Sequence, residues 1–230
     1  MEPIERRSVV DVLEERLRGD ILGGVHPAGA YLPSERELAA GYGVNRATLK
    51  HALSRLEQAG LLTTRHGVGS LVRDIVRSGG ADLLPLLVRQ DARWLDDVFE
   101  ARRAIGSVIA RQAASWAGSR GGAFQEAVRA VGQAPDAHLA QSAEAEVHRE
   151  LARLSRNRVY VLLTNTLLGA YLPVRHLLTG PFEDPVLAGE RLLPLAAAVE
   201  AADAAAAGRA ASDYLDLTGG LMLSALRDRE

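Results

Sequence analysis

The sequence predicts a mainly α protein in two parts: an N-terminal winged helix-turn-helix with a small β-hairpin wing, then a C-terminal all-α helical bundle of six or seven helices. Three observations predict it. Between residues 32 and 72 a capping box, a glycine turn, a second amphipathic helix and a glycine-tipped hairpin follow in order. Positive charge gathers on that second helix and its wing. From residue 81 onward apolar side chains recur at helical spacing, with no alternating strand pattern.

The first helix spans about residues 8–22, because Val9, Val10, Leu13, Leu17 and Ile21 repeat at helical spacing and Gly23-Gly24 ends the run. Residues 26–33 read as a proline-punctuated loop. Ser34 and Glu37 form an S-x-x-E capping box, which satisfies orphan amides at a helix start. Leu38 and Ala39 give this helix a buried side, and Gly41-Tyr42-Gly43 supplies the turn. Asn45 caps the next helix, whose Leu49, Ala52, Leu53 and Leu56 fall at i, i+3, i+4 and i+7. Gly60 sits where a left-handed C-terminal residue belongs. Residues 61–64 and 70–72 are then strands around Arg65-His66-Gly67-Val68-Gly69.

The formal net charge of −2 hides a local excess. From Val44 to Arg73 five bases (Arg46, Lys50, Arg55, Arg65 and Arg73) face one acid, Glu57. Arg46 and Lys50 are four apart, opposite the Leu49/Leu53/Leu56 stripe, and a basic face there is the footprint of a recognition helix in a major groove. An ordinary solvated helix face is the alternative. Cysteine is absent, which excludes disulfides, thiolate zinc sites and cysteine nucleophiles. No apolar stretch is long enough to span a membrane and the N-terminus lacks a signal-peptide core, so a cytoplasmic protein is expected. No Ser/His/Asp order, paired-carboxylate motif or phosphate loop points to an enzyme. The expected domains are residues 1–73, a linker at 74–80, and a bundle at 81–230. Its helices are drawn at 81–90, 92–117, 122–133, 138–155, 158–178, 186–206 and 208–228, with breaks at Pro135, Asn157, Gly180-Pro181 and Gly208 among others.

The run H-P-A-G-A-Y-L-P-S-E-R-E-L-A, then G-V-N-R-A-T-L-K-H-A-L-S-R-L-E-Q-A-G-L-L and H-G-V-G-S, resembles the DNA-binding domain of the GntR family of bacterial transcription regulators. The resemblance implies double-stranded DNA with a palindromic operator as partner, bound by a homodimer. It implies that Arg36 reaches a phosphate or base, that Arg46 and Lys50 enter the major groove, and that Thr48 contacts phosphate. His66 and Gly67 would approach the minor groove, although a turn histidine is also often an idle surface group. Arginine can bond guanine O6 and N7 bidentately, and glycine admits close backbone approach. Two departures stand out: Ala47 replaces a polar residue common in relatives, and Lys50 replaces an arginine, giving a point charge in place of a fork.

Helical bundles of this length mark the FadR-like group of the family. Most of that group resemble metal-dependent carboxylate sensors with one acid and three histidines. Here His148 has Glu144 one turn earlier, but no histidine follows His176, so no metal or other cofactor is expected. The stretches D-D-V-F-E-A-R-R-A-I-G-S-V-I-A-R-Q-A-A and H-R-E-L-A-R-L-S-R-N-R-V-Y are instead similar to the group's acyl-CoA-responsive branch. That likeness implies Arg102, Tyr160, Tyr214, Thr218 and Gly219 as ligand-binding residues, with long-chain acyl-CoA as the effector that releases DNA. Leu215 and Met222 depart from the branch, which has a small residue and a large aromatic there. From the residues alone, Arg102 equally suits a surface ion pair with Asp97 or Glu100, Gly219-Gly220 equally suits a close helix crossing, and Tyr160 suits core or pocket wall. A regulator of carbon catabolism sensing a small organic acid, and a winged-helix scaffold binding protein, are the rival readings.

Overall fold

The computed structural model describes residues 8–65, 67–116 and 121–227, so the expectation for His66 lies outside the described residues. The chain divides into two compact units, one ending at Leu83 and the other starting at Leu84.

In the first unit, α1 (Val9–Leu22) starts from a capping box in which Ser8 and Asp11 exchange side-chain and backbone bonds. The Ser34/Glu37 box opens α2 (Glu35–Tyr42), and Gly43 ends it at φ 66°, a left-handed conformation that favours glycine. Asn45 Oδ1 accepts from the Thr48 amide at 2.8 Å and opens α3 (Arg46–Gln58). Leu13 and Leu17 of α1, Leu38 of α2, and Leu49, Leu53 and Leu56 of α3 are buried together in one small core. The wing pairs β1 (Leu62–Arg65) with β2 (Gly69–Val72) antiparallel, Leu62 opposite Val72 and Arg65 opposite Gly69. An isolated bridge from Tyr31 to Leu71 adds a third short piece. Glu57 Oε1 accepts from the Thr64 amide at 2.7 Å, which pins the wing to the end of α3.

Residues 74–80 are not wholly extended: Asp74 caps α4 (Ile75–Ser78), a single turn. The second unit contains α5 (Leu84–Gln90), α6 (Trp94–Trp116), α7 (Gly122–Gly132), α8 (Ala137–Leu154), α9 (Arg158–Ala170), α10 (Pro185–Glu190), α11 (Leu193–Glu200) and α12 (Ala204–Arg227). Prolines account for most of the differences from the expected helices. The helix drawn to residue 178 stops at Ala170, and Pro173 sits in a 3-10 segment, Leu172–Leu177. The helix drawn at 186–206 is two helices, with Pro194 in the first turn of the second. Gly208 is not a break but lies inside α12, where Ser107 Oγ of α6 donates to its carbonyl at 2.9 Å. A Cβ at Gly208 would sit 2.3 Å from Arg111 Nε, so glycine there serves close helix approach. The long helices α6 and α12 pack side by side, with Leu215 seated on Gly106.

Candidate functional site

In the first unit Arg36, Arg46 and Lys50 are exposed, and Thr48 is half-buried. Arg46 and Lys50 project from the same side of α3, since Glu35 Oε2 lies 3.5 Å from Arg46 Nη2 and 3.8 Å from Lys50 Nζ. Gly67, with φ 77°, and exposed Val68 form the wing tip beside Arg65. The other bases of this region are used inside the protein. Arg55 pairs with Asp11 at 2.6 Å and Glu14 at 3.2 Å, fixing α3 against α1. Arg73 donates to the carbonyls of Gly60 and Ser78, each at 3.0 Å, and so holds the base of the wing. Arg46 and Lys50 of α3 are left facing outward.

In the second unit the sequence hides a buried polar cluster. Arg102 on α6 is buried, not a surface partner of Asp97 or Glu100. Its Nη2 donates to Glu144 Oε1 of α8 at 2.6 Å. His148 Nε2 lies 2.7 Å from the same oxygen, and the Tyr214 hydroxyl of α12 donates to it at 3.3 Å. Tyr171 lays its ring 5.7 Å from the guanidinium carbon. Arg102 Nη1 and Glu144 Oε2 are buried with no hydrogen-bond partner among the described residues.

The charges follow from this packing. Burial pushes the Glu144 carboxyl up, but Arg102 and His148 outweigh it and hold its pKa at about 2. Burial disfavours the charged guanidinium, yet Glu144 raises its pKa above the ordinary value. Burial lowers His148 against the pull of Glu144, so the imidazole is neutral and presents its Nε2 proton to the carboxylate. Burial and Glu144 push Tyr214 well above its usual range. The result is a charged Arg–Glu pair bonded by two neutral donors, a geometry in which Coulomb attraction offsets desolvation.

Beside this cluster lies a cavity of about 20 Å³, room for roughly one water. Arg102, His148 and Thr164 form its polar side, and Ile105, Ile109, Leu151, Leu167, Leu168 and Leu215 its apolar walls. Leu215 also lines a larger surface groove with Asp96, Glu100, Arg103, Asp216, Gly219 and Gly220, and is common to cavity and groove.

The residues expected at the ligand site are therefore only partly together. Arg102 and Tyr214 meet at Glu144. Thr218 is buried, and its hydroxyl donates to the Tyr214 carbonyl of its own helix at 2.8 Å. Gly219 packs against Phe99, where a Cβ would sit at an ordinary 3.5 Å, and Tyr160 is half-buried against the core away from the cavity lining. Tyr171, which the sequence suits to core or pocket wall, and Glu144, which it marks only as a neighbour of His148, complete the cluster. The i, i+4 spacing of Glu144 and His148 on α8 was the available signal. Among the described residues no group of three or more His, Cys, Asp or Glu side chains could hold a metal ion. No described helix is long and apolar enough to cross a membrane.

A winged helix-turn-helix joined to a helical bundle with a polar pocket defines a ligand-responsive DNA-binding transcription regulator. The chain belongs to the GntR family: residues 10–72 match the description "Bacterial regulatory proteins, gntR family", and residues 97–217 match the FCD domain. It is a regulator, not an enzyme, and the family binds DNA and, through the FCD domain, a small-molecule effector. It is 36% identical to an uncharacterized HTH-type transcriptional regulator of Mycobacterium tuberculosis, over 99% of this chain and 95% of that one. It is 31% identical to the fatty acid metabolism regulator protein of Erwinia tasmaniensis, over 77% of this chain and 76% of that one. Among solved structures it shares its fold with Lar, which controls expression of the Listeria monocytogenes agr system (TM-score 0.55, 13% identity, covering 96% of this chain and 99% of that one).

Proposed function

We propose that this regulator controls fatty-acid metabolism in the cytoplasm. As a homodimer it binds a palindromic operator, and a long-chain acyl-CoA entering the bundle releases the DNA. Arg46 and Lys50 read the major groove, Arg36 and Thr48 hold the backbone, and Gly67, next to His66 in the sequence, brings the wing to the minor groove. The observation that carries the effector reading is the cavity itself: six aliphatic walls with a buried cation, Arg102, at one side. That pattern suits a ligand with an apolar tail and a polar carbonyl or acid group. Similarity to fatty acid metabolism regulators supports the same class.

The cavity's size dictates how such a ligand would act. An acyl chain enters only if α6 moves away from α8, α9 or α12, since Leu215 and its neighbours fill the space. Each buried methylene contributes about 0.8 kcal/mol, so a long chain supplies enough free energy to hold the helices apart. The liganded bundle then spaces the two winged domains wrongly for the operator.

The small volume also favours a second reading, a small organic acid at Arg102, which displaces the helices less than an acyl chain does. Protein purified, denatured and examined by mass spectrometry separates the two. Co-purified acyl-CoA supports the first reading; a small dicarboxylate or sugar acid in its place supports the second and overturns the first.

A further inference from the structure

The outward face of α3 carries the two cations that enter the DNA, and one carboxylate sits between them. Glu35 Oε2 is 3.5 Å from Arg46 Nη2 and 3.8 Å from Lys50 Nζ. Glu35 opens α2, next to the Ser34 cap, and its carboxylate reaches the basic face of α3. The cations are 68% and 63% exposed and their contacts to Glu35 are long, so both can turn away from it at little cost. A carboxylate on a DNA-facing surface is repelled by every phosphate it nears, which makes Glu35 costly for affinity alone.

We propose that Glu35 is a specificity-determining residue of the DNA interface. It competes with the phosphates of unrelated DNA for Arg46 and Lys50 and biases the Arg46 fork toward a base edge. In the correct site it also accepts from a cytosine amino group, the donor that major-groove carboxylates read. This rests on the assignment of α3 as the recognition helix.

The test compares wild type with Glu35→Gln, which keeps shape and removes charge, and with Glu35→Ala. Each is taken through selection from a randomised 24-base-pair duplex library of roughly groove-spanning length, and its affinity for unselected duplex is measured across salt concentrations. Glu35→Gln should bind unselected duplex roughly three- to tenfold more tightly, steepen the log–log salt slope by about one per recognition helix, and yield a degenerate consensus. Unchanged melting would show that the helix cap is intact. An equally sharp consensus with an unchanged salt slope overturns the proposal. A wild-type protein that selects no sequence overturns the recognition-helix assignment and this inference with it.

Discussion

Arg102 and Glu144, 42 residues apart in the sequence, meet at 2.6 Å inside the bundle, and each leaves one polar atom without a partner among the described residues. The pair links α6 to α8 and, through Tyr214, to α12. Its cation comes from the chain itself, at the place where the bundle brings an acid and a histidine together.

Removing one member should be far worse than removing both. Glu144→Ala leaves a buried guanidinium uncompensated and should cost about 3–5 kcal/mol in urea unfolding. The double change Arg102→Met with Glu144→Leu, apolar and of similar bulk, should recover the part of that loss due to the unpaired charge, while His148 and Tyr214 lose their acceptor. Equal losses from the single and double variants would contradict the pairing.

Acid should loosen the bundle in two stages. Burial depresses His148 below the ordinary histidine value of 6.5, so as pH falls through and below 6.5 the unfolded chain takes up a proton that the folded chain excludes. Glu144, held at about 2 against 4.5, keeps its stabilisation above pH 4.5 and loses it as pH falls toward 2. His148→Gln, which retains a donor to the carboxylate, should flatten the first stage in denaturation curves and leave the second.

Two glycines should respond in opposite ways to alanine. A Cβ at Gly189 of α10 would lie 2.8 Å from the Gly132 Cα of α7, backbone that cannot turn aside, and should cost about 1–3 kcal/mol. Gly220 meets nothing within 4 Å in the middle of α12, and alanine there should stabilise by up to about 1 kcal/mol. Thermal melting of both variants checks the pair.

Chelation should leave the melting temperature unchanged, because the described residues bring an arginine, not further ligands, to Glu144 and His148. A large drop with a chelator would place a structural metal in the bundle.

The first unit was legible because its signals are local. Caps, the Gly43 turn and the α3 stripe each involve residues within about a turn or two of one another, where spacing alone fixes geometry. What Arg55 and Arg73 do was not legible. They look like further DNA-facing bases in the sequence, yet each is bound to a distant acid or carbonyl. The buried cluster was hidden for the same reason. Arg102 has Asp97 and Glu100 close in sequence, but its partner comes from another helix, and no periodicity marks that. Gly208 misled because a glycine that admits a neighbouring helix reads the same as one that ends a helix.

The most direct test of the account follows fluorescence anisotropy of a library-selected operator duplex bound by the wild-type protein as oleoyl-CoA, oleate or a small dicarboxylate is added. Release by oleoyl-CoA at micromolar concentration, lost in Arg102→Met protein that still binds the duplex, is the result expected. Indifference to oleoyl-CoA, with release by the dicarboxylate or by none of the three, would contradict the acyl-CoA reading.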